Sequence, residues 1–168
     1  MKITDYIIKT IEELVNIPSP SGYTKEAIEF VKEEASKRGY SSEMNQKGGL
    51  IITVKGKSKE TLGLTAHIDT LGAMVRSING DGTLKFTTVG EYTMQSVEGS
   101  YCKIITRDGR RYTGTILSNS PSVHSYDDAG GLERNEKNMH IRVDEIVKNS
   151  DDIVELGINS GDYISFDP

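Results

Sequence analysis

Two side chains set two positions apart, His67 and Asp69, offer the clearest chemistry in this sequence. They lie in Leu64-Thr65-Ala66-His67-Ile68-Asp69-Thr70-Leu71-Gly72, which reads as a buried strand running out to its end. Residues two apart on a strand face the same way, so His67 and Asp69 project together while Ile68 points to the other face. A carboxylate beside an imidazole can accept the proton of one ring nitrogen, which fixes the tautomer and frees the other nitrogen to hold a metal. The spacing His-x-Asp is weakly specific and equally describes two neighbours at a strand end.

The remaining candidates are sparser. There are three histidines, His67, His124 and His140. A hydrolytic zinc site takes three protein ligands and a water. His67 could reach that number only with donors such as His124, Asp127 and Asp128, which cluster in an irregular loop that nothing in the spacing forces towards His67. His140 starts a predicted strand and reads as a surface or edge histidine. The single cysteine, Cys102, precludes an internal disulfide and a cysteine-based zinc cluster, and reads as a packing residue beside Ile104. No Gly-x-Ser-x-Gly elbow, Walker loop or dinucleotide fingerprint is present. A glycosidase needs two carboxylates about 5–10 Å apart. Glu12-Glu13, Glu33-Glu34 and Asp151-Asp152 read instead as helix-surface or cap residues, with Asp127-Asp128 a weak pair.

The elements that must position His67 and Asp69 follow from periodicity. A first helix is predicted from about Thr4 to Asn16, with Ile7, Ile8, Ile11, Leu14 and Val15 at helical spacing. Pro18 and Pro20 end it. A second helix runs from near Tyr23 to Gly39, with Ala27, Ile28, Val31 and Ala35 inward and paired charges outward. Gly48-Gly49 turns into a strand over Leu50–Val54, and a further strand over Thr61–Ala66 leads to His67. Two helices and two strands cannot close an α/β sheet; they leave an edge and much apolar surface uncovered.

After Gly72 the texture becomes β. Met74–Ile78 and Leu84–Val89 flank the hairpin signal Asn79-Gly80-Asp81-Gly82. Tyr101–Thr106 and Arg111–Leu117 flank Arg107-Asp108-Gly109-Arg110. A strand over Met139–Val143, a short helix over Asn149–Leu156 and a last strand over Asp162–Phe166 follow. The expectation is a small β-barrel or sandwich. Ser118–Asn138, poor in apolar anchors, is expected to be a long mobile loop.

The chain has 168 residues, a formal charge of -5 and a pI near 5.3. Without a long basic run, nucleic acid is not an expected partner. No apolar run approaches the roughly 20 residues of a membrane span. Lys9, Glu12 and Glu13 interrupt any secretory apolar core, so a cytoplasmic location is expected.

Ala66-His67-Ile68-Asp69-Thr70-Leu71-Gly72-Ala73-Met74-Val75 resembles the first metal-ligand segment of the deblocking, glutamyl-aminopeptidase-like metallopeptidases, a family that assembles into tetrahedral particles and includes members called cellulase or endoglucanase. Ile17-Pro18-Ser19-Pro20-Ser21-Gly22 is similar to that family's turn between its first two helices, and Gly114-Thr115-Ile116 to a strand of its inserted domain. Ile141–Asp144 and Leu156–Pro168 resemble the closing segment of that domain. The resemblance implies an α/β fold: residues 1–70 as part of a peptidase catalytic domain with two helices and two or three strands, and residues 71–168 as an inserted β-rich barrel or sandwich used for dimerisation.

The resemblance also implies roles. His67 matches the first metal ligand and Asp69 the catalytic carboxylate that orients it. In the complete enzyme two divalent ions, zinc or cobalt, share a bridging carboxylate and a bridging water. A glutamate removes the water's proton for attack on the peptide carbonyl. No segment matching that glutamate, the bridging aspartate or the remaining ligands occurs in these 168 residues. The chain alone is therefore expected to hold no metal tightly and to release no N-terminal amino acid from its peptide substrate. A homo-oligomer is expected, dimer-based and extending to a dodecamer when complete. Thr70, where many relatives are acidic, and Glu91, where a glycine is common, depart from the pattern without touching a metal ligand. The competing reading is a non-catalytic assembly or peptide-binding module in which open β edges pair with another chain.

Overall fold

A computed structural model describes residues 2–168, which divide between Thr70 and Leu71 into two compact units.

The first unit opens with α1, Ile3–Val15, and α2, Lys25–Lys37. The helical period puts Ile7, Ile8, Ile11 and Val15 along one side of α1, yet none of its residues is buried. Burying such a side chain is worth about 1.5–3 kcal/mol, so this stripe is a substantial uncovered apolar surface. α2 is amphipathic in the expected sense: Ala27 and Ala35 are buried, and Glu29–Lys32, Glu34–Lys37 and Glu34–Arg38 pair on its outer side. The Arg38 guanidinium lies 4.3 Å from the centre of the Tyr6 ring, tying α2 to α1.

Two strands follow as an antiparallel hairpin, β1 (Ser41–Met44) and β2 (Leu50–Thr53). β1 has no signal in the sequence, since Ser-Ser-Glu-Met carries neither β-branched enrichment nor alternation. Asn45 closes the turn: its side-chain oxygen accepts from the Lys47 and Gly49 amides, both at 2.9 Å. The expected strand over Thr61–Ala66 does not form, and residues 54–67 are exposed. No strand among the described residues pairs with that stretch. An apolar run without ladder partners has no means of satisfying its amides except water, so it stays irregular.

The second unit is a closed barrel in the order β3-β4-β7-β6-β5-β8, antiparallel throughout, where β3 is Gly72–Ile78, β4 Leu84–Val89, β5 Tyr101–Ile105, β6 Arg111–Ser118, β7 Met139–Val143 and β8 Tyr163–Phe166. Both hairpin signals are realised, joining β3 to β4 and β5 to β6. Inward positions alternate along the strands and pack Val75, Leu84, Phe86, Ile104, Ile116, Ile141 and Ile164 into one core. The short helix α3, Ser150–Glu155, starts with a capping box between Asn149 and Asp152 and adds Ile153. Closure removes the open strand edges on which the peptide-binding or assembly alternative relied.

The stretch between β6 and β7 has no regular element, in keeping with its composition, but it is tied down. Arg134 donates to Glu98 at 2.8 Å and to the carbonyls of Ala129 and Leu132 at 3.1 and 2.6 Å. Glu136 accepts from the Thr87 hydroxyl at 2.7 Å and the Thr88 amide at 3.0 Å. Among the described residues no helix is long and apolar enough to cross a membrane.

Candidate metal-ligand site

The first unit places His67 and Asp69 side by side. The imidazole Nδ1 stands 3.0 Å from Asp69 Oδ1 and 3.3 Å from the Asp69 carbonyl oxygen. Both neighbours accept, so Nδ1 carries the hydrogen, and in the neutral ring the lone pair is then on Nε2. The His67 side chain is 85% exposed, leaving Nε2 accessible. The geometry expected of a strand pair is thus present although the segment is neither a strand nor buried.

What holds the pair is the Pro18–Gly22 turn. The Thr70 amide donates to the Ser19 carbonyl at 2.8 Å, and Pro20 and Thr70 form an isolated parallel bridge. The Ser19 hydroxyl donates to the Ile68 carbonyl at 3.2 Å. The Ser21 hydroxyl donates to Asp69 Oδ2. The turn itself is braced by the Tyr23 amide on the Pro20 carbonyl at 2.7 Å, and Gly22 sits at φ +93, a conformation that favours glycine. Ser21, first, and then His67 hold the Asp69 carboxyl below the usual carboxylate range. The sequence marks Pro-Ser-Pro-Ser-Gly as a turn, but nothing in it says that its serines reach residues 68–70.

An open cleft of about 610 Å³ adjoins the pair, lined among others by Ser21, Ile28, Leu50 and Leu64. Its lining is mostly apolar and includes His67 and Asp69.

The donor chemistry fits one position of a metal site: an imidazole whose Nδ1 is engaged by a carboxylate and whose Nε2 has no partner in that pair. It does not make a complete one. Among the described residues no three His, Cys, Asp or Glu side chains gather to hold an ion. His124, Asp127 and Asp128 are exposed in the β6–β7 connection, in the other unit from His67. His140 lies on β7, a strand paired on both sides, and alternates with the inward Met139 and Ile141, so it is a half-buried surface histidine and not an edge one, with Nδ1 3.0 Å from Asn119 Oδ1. Cys102 is fully buried in the barrel core with Ile104, and burial pushes its thiol up to about 12, which suits packing and not reactivity. The paired carboxylates also behave as surface and cap groups, Glu34 in ion pairs and Asp152 on the Asn149 amide.

Comparison with known proteins decides the family. Residues 48–168 match the M42 glutamyl aminopeptidases. The chain belongs to this family. A Bacillus subtilis relative, YhfE, described as a candidate aminopeptidase, is 49% identical over 163 residues, which are 96% of this chain and 47% of that protein. Among solved structures, a TET aminopeptidase from a marine sediment Thaumarchaeota archaeon superposes with a TM-score of 0.84 at 23% identity, over 99% of this chain and 45% of its own. The Pyrococcus horikoshii TET1 peptidase, whose assembly is a tetrahedron or a large octahedral shell, has a TM-score of 0.78 at 23% identity, over 95% and 46%. This M42 chain therefore spans about half the length of the relatives it matches, and the likeness of fold covers both the α/β unit and the six-stranded barrel.

Proposed function

We propose that this chain is the N-terminal portion of a metal-dependent aminopeptidase that releases N-terminal residues from peptides. Residues 1–70 are read as part of the catalytic domain and residues 71–168 as the inserted β-rich assembly domain. The observation that carries the reading is the His67 imidazole, oriented through Nδ1 by Asp69 with Nε2 presented outward. Membership of the M42 family supplies the expectation of divalent metal. His67 would be one ligand of that metal, and Asp69 the carboxylate that keeps its tautomer correct. A metal bound there would supply Lewis-acid chemistry. Zinc and cobalt are the proposed ions.

The uncovered aliphatic stripe of α1 supports the same reading, since a surface of this kind belongs against further protein. The remaining half of the relatives' length is the proposed cover. The tetrahedral or octahedral assembly of the Pyrococcus horikoshii neighbour motivates a homo-oligomeric arrangement here, built on dimers through the barrel unit. The cytoplasm is the proposed location.

Two measurements test this. The 168-residue chain alone, supplied with zinc or cobalt, is expected to release no N-terminal amino acid from peptides. The same chain joined to, or co-expressed with, the remaining portion of an M42 protein should do so, and His67→Ala should abolish that release. Robust turnover by the chain alone, or by the joined His67→Ala protein, would overturn the proposal.

A further inference from the structure

We infer that Ser21 is a positioning residue for the His67 imidazole, acting through Asp69: its hydroxyl clamps Oδ2 so that Oδ1 stays on Nδ1 and the Nε2 lone pair remains the outward one. The inference rests on the reading of His67 as a metal ligand, but its own readout does not require a metal.

Residues 61–67 have no ladder partner and are exposed, so regular sheet pairing does not fix the imidazole. Order enters at Ile68–Thr70, through the Ser19 hydroxyl on the Ile68 carbonyl, the Ser19 carbonyl on the Thr70 amide and the Pro20–Thr70 bridge. Those backbone contacts set the register that brings Ser21 beside Asp69. They do not fix the carboxylate itself, whose terminal torsion is broad and roughly two-fold. A carboxylate held at one oxygen can rotate into solvent, and Asp69 is about a third exposed, at 36%. Holding both oxygens removes that freedom: Oδ1 takes the imidazole and Oδ2 takes Ser21. The rigid Pro18-x-Pro20 frame, with Pro20 buried, keeps the serine from following the carboxylate outward. Ser21 thus converts a surface hydrogen-bonded pair, which solvent would otherwise loosen, into a fixed one.

The test uses the isotope-labelled 168-residue chain and reads the His67 ring nitrogens by long-range proton–nitrogen correlation, at a pH well above the usual histidine pKa of about 6.5. The wild-type ring should be predominantly Nδ1–H. Ser21→Ala should shift the tautomer ratio towards Nε2–H on the order of fivefold, the equivalent of one net hydrogen bond. Ser21→Thr, which keeps the hydroxyl, should restore the wild-type ratio. An unchanged ratio in Ser21→Ala, with the fold intact by the dispersion of barrel resonances, overturns the inference. So does failure of Ser21→Thr to rescue. The joined M42 protein of the preceding test separates the two claims. If the ratio responds to Ser21 but the joined His67→Ala protein still releases N-terminal residues, the positioning role stands and the metal reading falls. If the joined protein requires His67 while the ratio ignores Ser21, the reverse holds.

Discussion

The backbone amide of Thr70 is donated to the carbonyl of Ser19 at 2.8 Å, tying the first inter-helical turn to the end of the histidine segment. The bond marks where order begins: residues 61–67 before it are exposed and unpaired, and Ile68–Thr70 are gathered against the turn.

Hydrogen exchange should resolve that boundary. The Thr70 amide should be protected, while amides 61–67 should exchange close to the rate of an unstructured chain. Pro20→Gly, which frees the backbone torsion and deletes the buried ring that sets the turn, should collapse the protection of Thr70 and leave the barrel amides unchanged. Equal protection on both sides of His67 would contradict the partition.

Arg134 makes the comparable prediction for the second unit. It joins Glu98 to two carbonyls of the β6–β7 connection, an arrangement only a planar, multi-donor side chain provides. Arg134→Ala should accelerate proteolytic nicking between residues 119 and 138 several-fold, with a smaller effect on the unfolding midpoint. Arg134→Lys, with one point charge in place of the fork, should behave almost as poorly. Nicking at the wild-type rate in both variants would show that Glu136 alone suffices.

These two cases show what the sequence conveys and what it withholds. The barrel strands were legible because alternation and glycine-bearing turns are local signals: Asn79–Gly82 and Arg107–Arg110 each sit between two β-prone runs. The juxtaposition of His67 and Asp69 was legible from spacing alone. The strand at Thr61–Ala66 was misread because its composition suits a strand, whereas strand formation depends on neighbours that a local reading cannot supply. Ser21 and Arg134 were missed for the same reason. Their partners, Asp69 and Glu98, are far away in sequence, and a serine in a proline turn or an arginine in a polar loop carries no mark of what it will hold. The helix α1 is the converse: its apolar residues form one face as the spacing indicates, yet none of them is buried, which a local pattern cannot foretell.

Gly114, on β6, tests the packing of the barrel. A Cβ placed there would stand 2.8 Å from the Arg142 carbonyl oxygen, 2.9 Å from Ile141 Cγ2 and 3.1 Å from Ile104 Cδ1. The first contact is with backbone of the paired strand β7 and cannot be relieved by a rotamer change. Gly114→Ala should therefore destabilise the barrel by about 1–3 kcal/mol, as overpacking does, despite the better strand propensity of alanine. Denaturant unfolding measures this directly. A stabilised variant would mean that β6 and β7 can move apart at no cost.

His140 gives the second unit a specific pH dependence. Burial, and then the Lys85 ammonium, hold its imidazole below the ordinary value of 6.5, with Asp81 opposing weakly. Its folded-state pKa is therefore depressed relative to the unfolded chain. As pH falls below 6.5, the unfolded state takes up a proton that the folded state refuses, so stability is present above that pH and is lost on acidification until the folded ring also protonates. The unfolding free energy should decline through this window, before the carboxylates titrate. His140→Gln keeps a donor for Asn119 Oδ1 but cannot protonate, so it should flatten the decline. An identical slope in wild type and His140→Gln would assign the pH dependence to other groups.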